Sequence, residues 1–473
     1  MRHGDRAFRA ESGIAARNAH DGGARGPGPS AACAPPDVAG RSVPKGVVRV
    51  GTGVPGGGTA RVPPLPSRGG FAKLCSPSPL GPSGRVSGGR ASLREITGLS
   101  MRVTVERAAL LKSLGHVHRV VERRNTIPIL SNVLLRTAEN GLQLKATDLD
   151  IEVTETVPAD VLDAGATTVP AHVIYDIVRK LPDGAQVSLE TSGETGQMTI
   201  RSGRSRFALG ALPEGDFPDL AAGELPHSFS IPAAELKLLI EKTQFAISTE
   251  ETRYYLNGIY LHTVEVEGEA KLRAVATDGH RLARVETTAP EGSRGMPGII
   301  VPRKAVAEII KLVDDGGESV EVEISPAKIR LTFAGGVTLI SKLIDGTFPD
   351  YQRVIPTGND KRLTVERDAF ARAVDRVSTI SSERGRAVKL SVMEGRLALS
   401  VTNPDAGSAT EELDADYEAS ALDIGFNARY LLDITAQLQG DTALFKLADP
   451  GSPTLIQDRE GAPALYVLMP MRV

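Results

Sequence analysis

The 473-residue sequence contains no tryptophan, and aromatic residues make up only 4% of it. Its cores must therefore rest on leucine, valine, isoleucine and alanine. There are two cysteines, Cys33 and Cys75, both within the first hundred residues. The rest of the chain can form no internal disulfide and no cysteine-based metal site. No window approaches the roughly 18 to 20 consecutive apolar residues that a bilayer-spanning helix requires, so no membrane partner is expected. The N-terminal region has no apolar segment of signal-peptide type, which argues against secretion by that route. The patterns GxxxxGK[ST], HExxH and GxSxG are absent, as are pairs of His or Cys at metal-ligand spacing. Neither a metal site nor a cofactor is expected.

What is present divides the chain in two. Residues 1–100 hold 20 of the 49 glycines and 12 of the 31 prolines, with 14 Lys/Arg against 5 Asp/Glu. Such a stretch cannot bury enough apolar surface to offset its ordering entropy. A disordered leader or an over-long start is expected there, with the body beginning at Met101 in "MRVTVERAALL". The one GxGxxG match, "GTGVPG" from Gly51, lies among Pro and Gly and lacks the strand and helix of a dinucleotide site. Set against the overall charge of −3, the leader's +9 leaves 101–473 at −12.

The body repeats itself. "RVTVERAALLKSL" from Arg102, "SFSIPAAELKLLI" from Ser228 and "RLTVERDAFARAV" from Arg362 share one strand-then-helix pattern. A second landmark recurs in "TTVPAHVIYDIVRKL", "IIVPRKAVAEIIKLV" and "DIGFNARYLLDITAQL". A third, "GDFPDL" and "GTFPDY", closes the first two copies. Three domains are expected, at 101–222, 223–355 and 356–473. Alternating runs around Asn140-Gly141, "VEISPAKIRLTF" and "VSLETSGETGQMTIRS" read as hairpins. Hairpin-linked strands with two helices per copy define an α+β fold.

In the first helix Leu110, Leu114, Val117 and Val121 form one apolar face, and Lys112, His116, Arg119 and Arg123 the opposite one. Phe370, Val374 and Val377 against Arg372 and Arg376 repeat this, and the second copy keeps Lys242. The second helices begin with His172, Lys304 and Arg429. A basic face is usually just solvated, but three equivalent ones argue for an anionic partner. A body at −12 is repelled by DNA at long range. Basic helices lining a concave surface, with acid outside, reconcile the two by weak enclosure. "ATDGHRLARVE" places Asp278 and His280 together, half of a hydrolase constellation without a nucleophile. A tight turn or a binding surface are the competing readings. A monomeric three-repeat scaffold for protein or ligand stays open as an alternative.

From Met101 to Val473 the chain resembles the bacterial β sliding clamp family, the processivity factors of DNA polymerase III. The resemblance rests on "MRVTVERAALL", "TIPILSNVLL", "ATDLDIEV", "RSGRSRFALGALPEGDFPDL", "TRYYLNGIYL", "VATDGHRLA", "IIVPRKAV", "SKLIDGTFPDYQRVIP" and "YVLMPMRV", in order through all three copies. Residues 1–100 have no counterpart. The resemblance implies three similar domains, each with two helices backed by antiparallel β-sheets (the DNA clamp fold), in a head-to-tail ring-forming homodimer. It implies a non-catalytic subunit, cytoplasmic and nucleoid-associated in a bacterium, that encircles double-stranded DNA without sequence preference. Its partners would be the polymerase III catalytic subunit, a clamp loader and other proteins carrying a short motif rich in Gln, Leu and Phe. Whether it serves routine replication or is a paralogous variant stays open.

Residue by residue, the resemblance points to Arg124, Tyr254, Tyr255, Arg303 and Lys304 as DNA contacts, beside the basic Lys112, Arg119 and Arg123. Glu250 stands where the family has a DNA-contacting Gln. A partner groove would comprise Leu256, Thr277, Gly279, His280, Arg281, Leu282, Pro349, Arg353, Val354, Val467, Leu468, Met469, Pro470, Met471 and Arg472. The family often has Val at the place of Leu468 and ends on Leu where this chain has Val473. Phe207 and Leu209 of one protomer would face Thr379 and Ile380 of the other, an apolar pair only half kept here.

Overall fold

The computed structural model describes residues 100–473 except 140, 193–195, 222 and 382–385. Cys33, Cys75, "GTGVPG", the rest of the expected leader and Asn140 lie outside the described residues. One element order recurs three times. The first copy runs β1 (Arg102–Glu106), α1 (Arg107–Val117), β2 (Asn132–Ala138), β3 (Gly141–Thr147), β4 (Ile151–Val157), β5 (Asp160–Asp163), β6 (Ala166–Pro170), α2 (Ala171–Lys180), β7 (Gln186–Ser192), β8 (Gln197–Ser202) and β9 (Ser205–Gly210). The second runs β10 (His227–Pro232), α3 (Ala233–Gln244), β11 (Gly258–Val266), β12 (Glu269–Thr277), β13 (Arg281–Thr288), β14 (Ile299–Pro302), α4 (Arg303–Asp314), β15 (Ser319–Ile324), β16 (Lys328–Thr332) and β17 (Thr338–Lys342). The third runs β18 (Lys361–Glu366), α5 (Arg367–Ser378), β19 (Ala387–Met393), β20 (Arg396–Asn403), β21 (Gly407–Asp414), β22 (Leu422–Asn427), α6 (Ala428–Thr435), β23 (Thr442–Leu447), β24 (Thr454–Gln457) and β25 (Ala464–Leu468).

The sequence change from period 2 to period 3.6 sets each opening. Val103 and Val105 point inward from β1, and Leu110, Leu114 and Val117 then bury one face of α1. Glu106 ends the strand and caps the helix, its carboxylate accepting from Ala109 N at 2.9 Å. Glu366 caps α5 in the same way through Asp368 and Ala369. In the second copy Pro232 occupies this place and offers no acceptor. The helices pack in pairs, α1 with α2, α3 with α4 and α5 with α6, over one face of the sheets.

All strand pairings in the four sheets are antiparallel. Two of the sheets have eight strands and join successive copies. In one, β17 of the second copy pairs with β4 of the first, Leu339 opposite Val153. In the other, β25 of the third copy pairs with β13 of the second, Tyr466 opposite Ala283. The remaining sheets run β5-β1-β7-β8-β9 and β21-β20-β19-β22. Their end strands β9 and β21 are the counterparts of β17 and β4, and each has a bare edge among the described residues.

Side chains fasten the joints. Arg281 at the start of β13 is 9% exposed; it donates to Asp278 at 3.1 Å, to Asp433 of α6 at 2.6 Å and to the Phe245 carbonyl at 2.7 Å. Its guanidinium also lies over the Tyr430 ring, 4.3 Å from the centroid. Phe245 at the end of α3 meets Tyr466 of β25 at 5.7 Å. At the first joint His116 lies between two carboxylates, Glu155 at 2.7 Å and Asp315 at 2.9 Å.

Three helix-face expectations need correction. Helix α1 stops at Val117, so Arg119 and Arg123 follow the helix rather than line its polar face. His116 is only 4% exposed, held inward by its carboxylate pair. Lys242 is also buried, because its ammonium donates to the Gln437 carbonyl of the third copy. Spacing showed which way these side chains leave the helix but not that a neighbouring copy covers them. Arg281→Ala strands Asp433 and the Phe245 carbonyl without their donor and should cost about 3 kcal/mol. Denaturant unfolding measures this as a lowered midpoint with a folded far-UV spectrum retained before the transition.

Candidate functional site

Two surfaces gather the expected site residues. The first is cationic. Lys112, Arg119, Arg123, Arg124 and Arg303 are all exposed, and none has an ion pair among the described residues. Glu122 lies 3.2 Å from the Lys304 ammonium, which places the 119–124 segment beside the start of α4 and brings Arg123 and Arg124 towards Arg303. Lys304 itself differs from expectation. Its ammonium is held by Asp148 and Glu122, so its charge is consumed at the joint between copies. Burial works against that charge, but the hydrogen bonds it donates to the two carboxylates, with their negative charges, outweigh it and raise the Lys304 pKa.

Tyr254 and Tyr255 sit on a 3-10 turn, Glu251–Leu256, with rings edge to face at 5.8 Å. Tyr254 is 54% exposed and free to stack on a ligand. Tyr255 is half-buried against an apolar cluster, which makes it in part a packing residue. Glu250 makes a two-pronged bridge to Arg253, at 2.7 and 2.6 Å, and the Arg253 hydrogen bond holds its carboxyl below the usual range. Arg253 therefore offsets the negative charge of Glu250.

The second is the expected groove, which on the face of the β14-β11-β12-β13-β25-β24-β23-β18 sheet away from the helices is a closed apolar cluster, its buried members each 8% exposed or less. Leu256, Leu282 and Val467 meet there with Val275, Ile300, Phe348, Tyr351, Leu455 and Leu465, a cluster separate from the main core. Residues two apart on a strand share a face. Val275 thus joins Thr277, and Leu465 joins Val467, both missed by motif matching although alternation could have found them. The lip is the 3-10 turn Tyr351–Val354, preceded by exposed Pro349; Val354 is 44% exposed, and Arg353 reaches Asp350 at 2.8 Å. Alternation also corrects two expectations. Leu468 points to the other face and is fully buried in the main core. Arg281 likewise leaves the groove face for the joint described above.

The turn between β12 and β13 forms the groove's end. Thr277 accepts there from Gly279 N at 3.1 Å and donates to the Arg281 carbonyl at 2.7 Å. Asp278 accepts from His280 N and Arg281 N at 2.9 and 3.0 Å. Gly279 has φ +89, and a Cβ there would lie 2.5 Å from the Arg253 guanidinium. With Asp278 committed to the turn and to Arg281, the Asp278–His280 pair has no general-base geometry. Exposed His280 stacks near Tyr430 at 6.3 Å. The chain terminus closes this side. Met469 N donates to the His280 carbonyl at 2.9 Å, and Met471 bridges to Gly425, where a Cβ would strike Val473 at 2.3 Å. Pro470 is half-buried; Met469 and Arg472 are exposed.

The other expected residues flank the bare edges. Phe207 and Leu209 share one half-buried face of β9, while Thr379 and Ile380 follow α5, which packs beneath β21. Among the described residues no cluster of His, Cys, Asp or Glu is arranged to hold a metal ion, and no helix is long and apolar enough to cross a membrane.

A thrice-repeated α+β unit, edge-paired into continuous sheets and carrying both a cationic surface and an apolar cluster on the face away from the helices, defines the class of protein. The DNA polymerase III beta subunit family matches in all three parts: its N-terminal domain at residues 101–221, central domain at 230–350 and C-terminal domain at 352–472. The beta sliding clamp of Caulobacter vibrioides is 56% identical over 373 residues, 79% of this chain and all of that one. That of Escherichia coli K12 is 42% identical over 376 residues, again 79% of this chain and all of that one. Among solved structures, the sliding clamp of Bartonella birtlesii bound to griselimycin is similar at TM-score 0.77 and 56% identity, covering 79% of this chain and 100% of that chain. The Caulobacter crescentus DNA polymerase sliding clamp is similar at TM-score 0.76, with the same identity and coverage. This chain belongs to the β sliding clamp family, the beta subunits of DNA polymerase III.

Beside the groove, Tyr351 is anchored from behind. Arg273 donates to its hydroxyl at 2.9 Å and pairs with Glu286 at 2.7 Å, and His262 Nε2 lies 3.1 Å from the same hydroxyl. Burial first, and then the Arg273 charge, pushes the His262 pKa from 6.5 down to about 4. Between these values the unfolded chain binds more protons than the folded one, so stability should fall as pH drops from about 6.5 towards 4. His262→Gln should flatten that slope in urea unfolding at pH 7 and pH 5. An unchanged slope would remove His262 from the account.

Proposed function

We propose that this protein encircles duplex DNA as a head-to-tail dimer, with DNA polymerase III tethered through the outer groove. The observation that carries this is the pair of bare edges. Within the chain, the β4-type strand of one copy joins the β17-type strand of the next, twice, in one register. The strands left over, β21 and β9, are the same two types. A second protomer supplies the missing neighbours at both ends and closes a ring of six copies. Followed through shared neighbours, the register sets Ala409 opposite the partner's Phe207 and Gly407 opposite the partner's Leu209. Thr379 and Ile380 then stand where Phe245 and Ala246 stand at the second joint, and Phe207 where Tyr466 stands. The chain also offers opposite charges on these edges: Arg204 and Arg206 at β9, Glu411, Glu412 and Asp414 on β21.

The free cations Lys112, Arg119, Arg123, Arg124 and Arg303 follow the phosphates, and Tyr254 meets the bases or sugars. Affinity is low because a body at −12 opposes it; enclosure supplies retention instead. The clamp catalyses nothing. It is opened by a clamp loader and shared, through the groove, with other proteins bearing the same motif, in the bacterial cytoplasm at the nucleoid. Apolar anchors of the motif settle at exposed Val354 and Met469 over the cluster of Leu256, Leu282 and Val467, where Met469 adapts to different ligands. We place the domain limits at 101–222, 223–355 and 356–473, which keeps one helix pair in each. Once loaded on a nicked circular plasmid, the protein should remain bound through gel filtration and dissociate when the plasmid is linearised. Equal retention on circle and line would contradict enclosure.

A further inference from the structure

One cation beside the groove has no partner. Arg284 lies on β13, two residues after Leu282 and on the same face of the sheet. The antiparallel register puts Val275 directly opposite it on one side and Leu465 on the other, both members of the apolar groove cluster. Tyr260 of β11 completes this row across Val275. Arg284 is half-buried, and among the described residues it makes neither an ion pair nor a side-chain hydrogen bond. Its Nε is buried without an acceptor.

Its neighbours do not supply the missing charge. The nearby carboxylate, Glu286, is engaged by Arg273 through Nε at 2.9 Å and Nη2 at 2.7 Å. Arg273 also holds the Tyr351 hydroxyl. Two guanidinium groups therefore share one carboxylate, leaving a net positive charge set in apolar walls. Burial lowers the Arg284 pKa, as expected of a desolvated cation whose nearest anion is already taken. A half-buried charge left this way is costly, and an incoming carboxylate that engages its fork offsets that cost.

We propose that Arg284 is a specificity residue of the groove, binding a Glu or Asp carboxylate that flanks the apolar anchors of the docked protein segment. This rests on the groove reading above and narrows it to one partner chemistry, an apolar segment with an adjacent acid. The position on the sheet fixes the direction. The anchors lie over Leu282 and Val467, and the acid lies one strand-pair repeat further along β13, away from the His280 turn. Arg284 also adds discrimination, since a neutral or basic residue at that place leaves the cation unpaired.

The test uses the full chain and labelled short peptides rich in Gln, Leu and Phe. A Glu is placed before, within or after the anchors, and each peptide has a Gln twin at the same place. Fluorescence anisotropy should find at least one Glu peptide bound about tenfold more tightly than its twin, as a charge-assisted bond between half-buried groups supplies. Arg284→Gln should erase that preference by lowering affinity for the Glu peptide to that of its Gln twin, which should bind at least as tightly as to wild type; Arg284→Lys should keep part of it. Removing an unpaired charge orphans no other group, so Arg284→Gln should unfold at the wild-type denaturant midpoint or above. A preference that survives in Arg284→Gln, or Glu and Gln twins that bind wild type equally, would overturn the proposal. Failure of every peptide to bind would overturn the groove reading itself, and this inference with it.

Discussion

A strand at the end of a sheet carries a row of backbone N–H and C=O groups that must find partners or face water. In this chain that requirement organises everything else. Successive copies meet by edge pairing, β4 with β17 and β13 with β25, which turns separate sheets into continuous ones. The helices are then confined to one face and the groove to the other. A head-to-tail partner is the remaining solution for β9 and β21. Side chains at the joints reinforce the pairing: Arg281 with Asp433, Lys304 with Asp148, His116 between Glu155 and Asp315.

The same joints limit which cations can serve DNA. Lys304 and Lys242 carry the right charge at the right periodicity, yet both are drawn into contacts between copies. The cations left free, among them Arg124 and Arg303, lie exposed beside those joints. Electrostatics thus divides into structural pairs and available charges, and burial by the neighbouring copy decides which is which. On the outer face the division is reversed. There apolar Val275 and Leu465 flank Arg284, a cation whose buried Nε has no acceptor among the described residues.

Much of the fold was legible because the patterning repeats. "RVTVERAALL" and "RLTVERDAF" each give a two-period strand followed by a 3.6-period helix, and each is built that way, with a Glu cap at the change that only the structure showed. Leu256, Leu282 and Val467, singled out from their motifs, do meet in one apolar cluster. Their neighbours Phe348 and Tyr351 were not singled out, since they lie outside the strands and only three-dimensional packing brings them to that face. Leu468 shows the opposite error: one residue along a strand turns a side chain from groove to core. His116 and Lys242 read as basic surface because a single helix cannot reveal what a distant copy lays over it.

The central claim is that β9 and β21 are unmated halves of a third, intermolecular joint in the register of the other two. The most direct measurement is disulfide trapping. Cys33 and Cys75 are first replaced by serine, and Ala208→Cys is combined with Ser408→Cys, the pair equivalent to Val467 and Leu282. Oxidation should give a covalent dimer cross-linked at both ends, closed into a circle on a denaturing gel. A chain that stays monomeric, or that cross-links equally well with the one-residue-shifted pair Ala208→Cys and Ala409→Cys, would contradict the account.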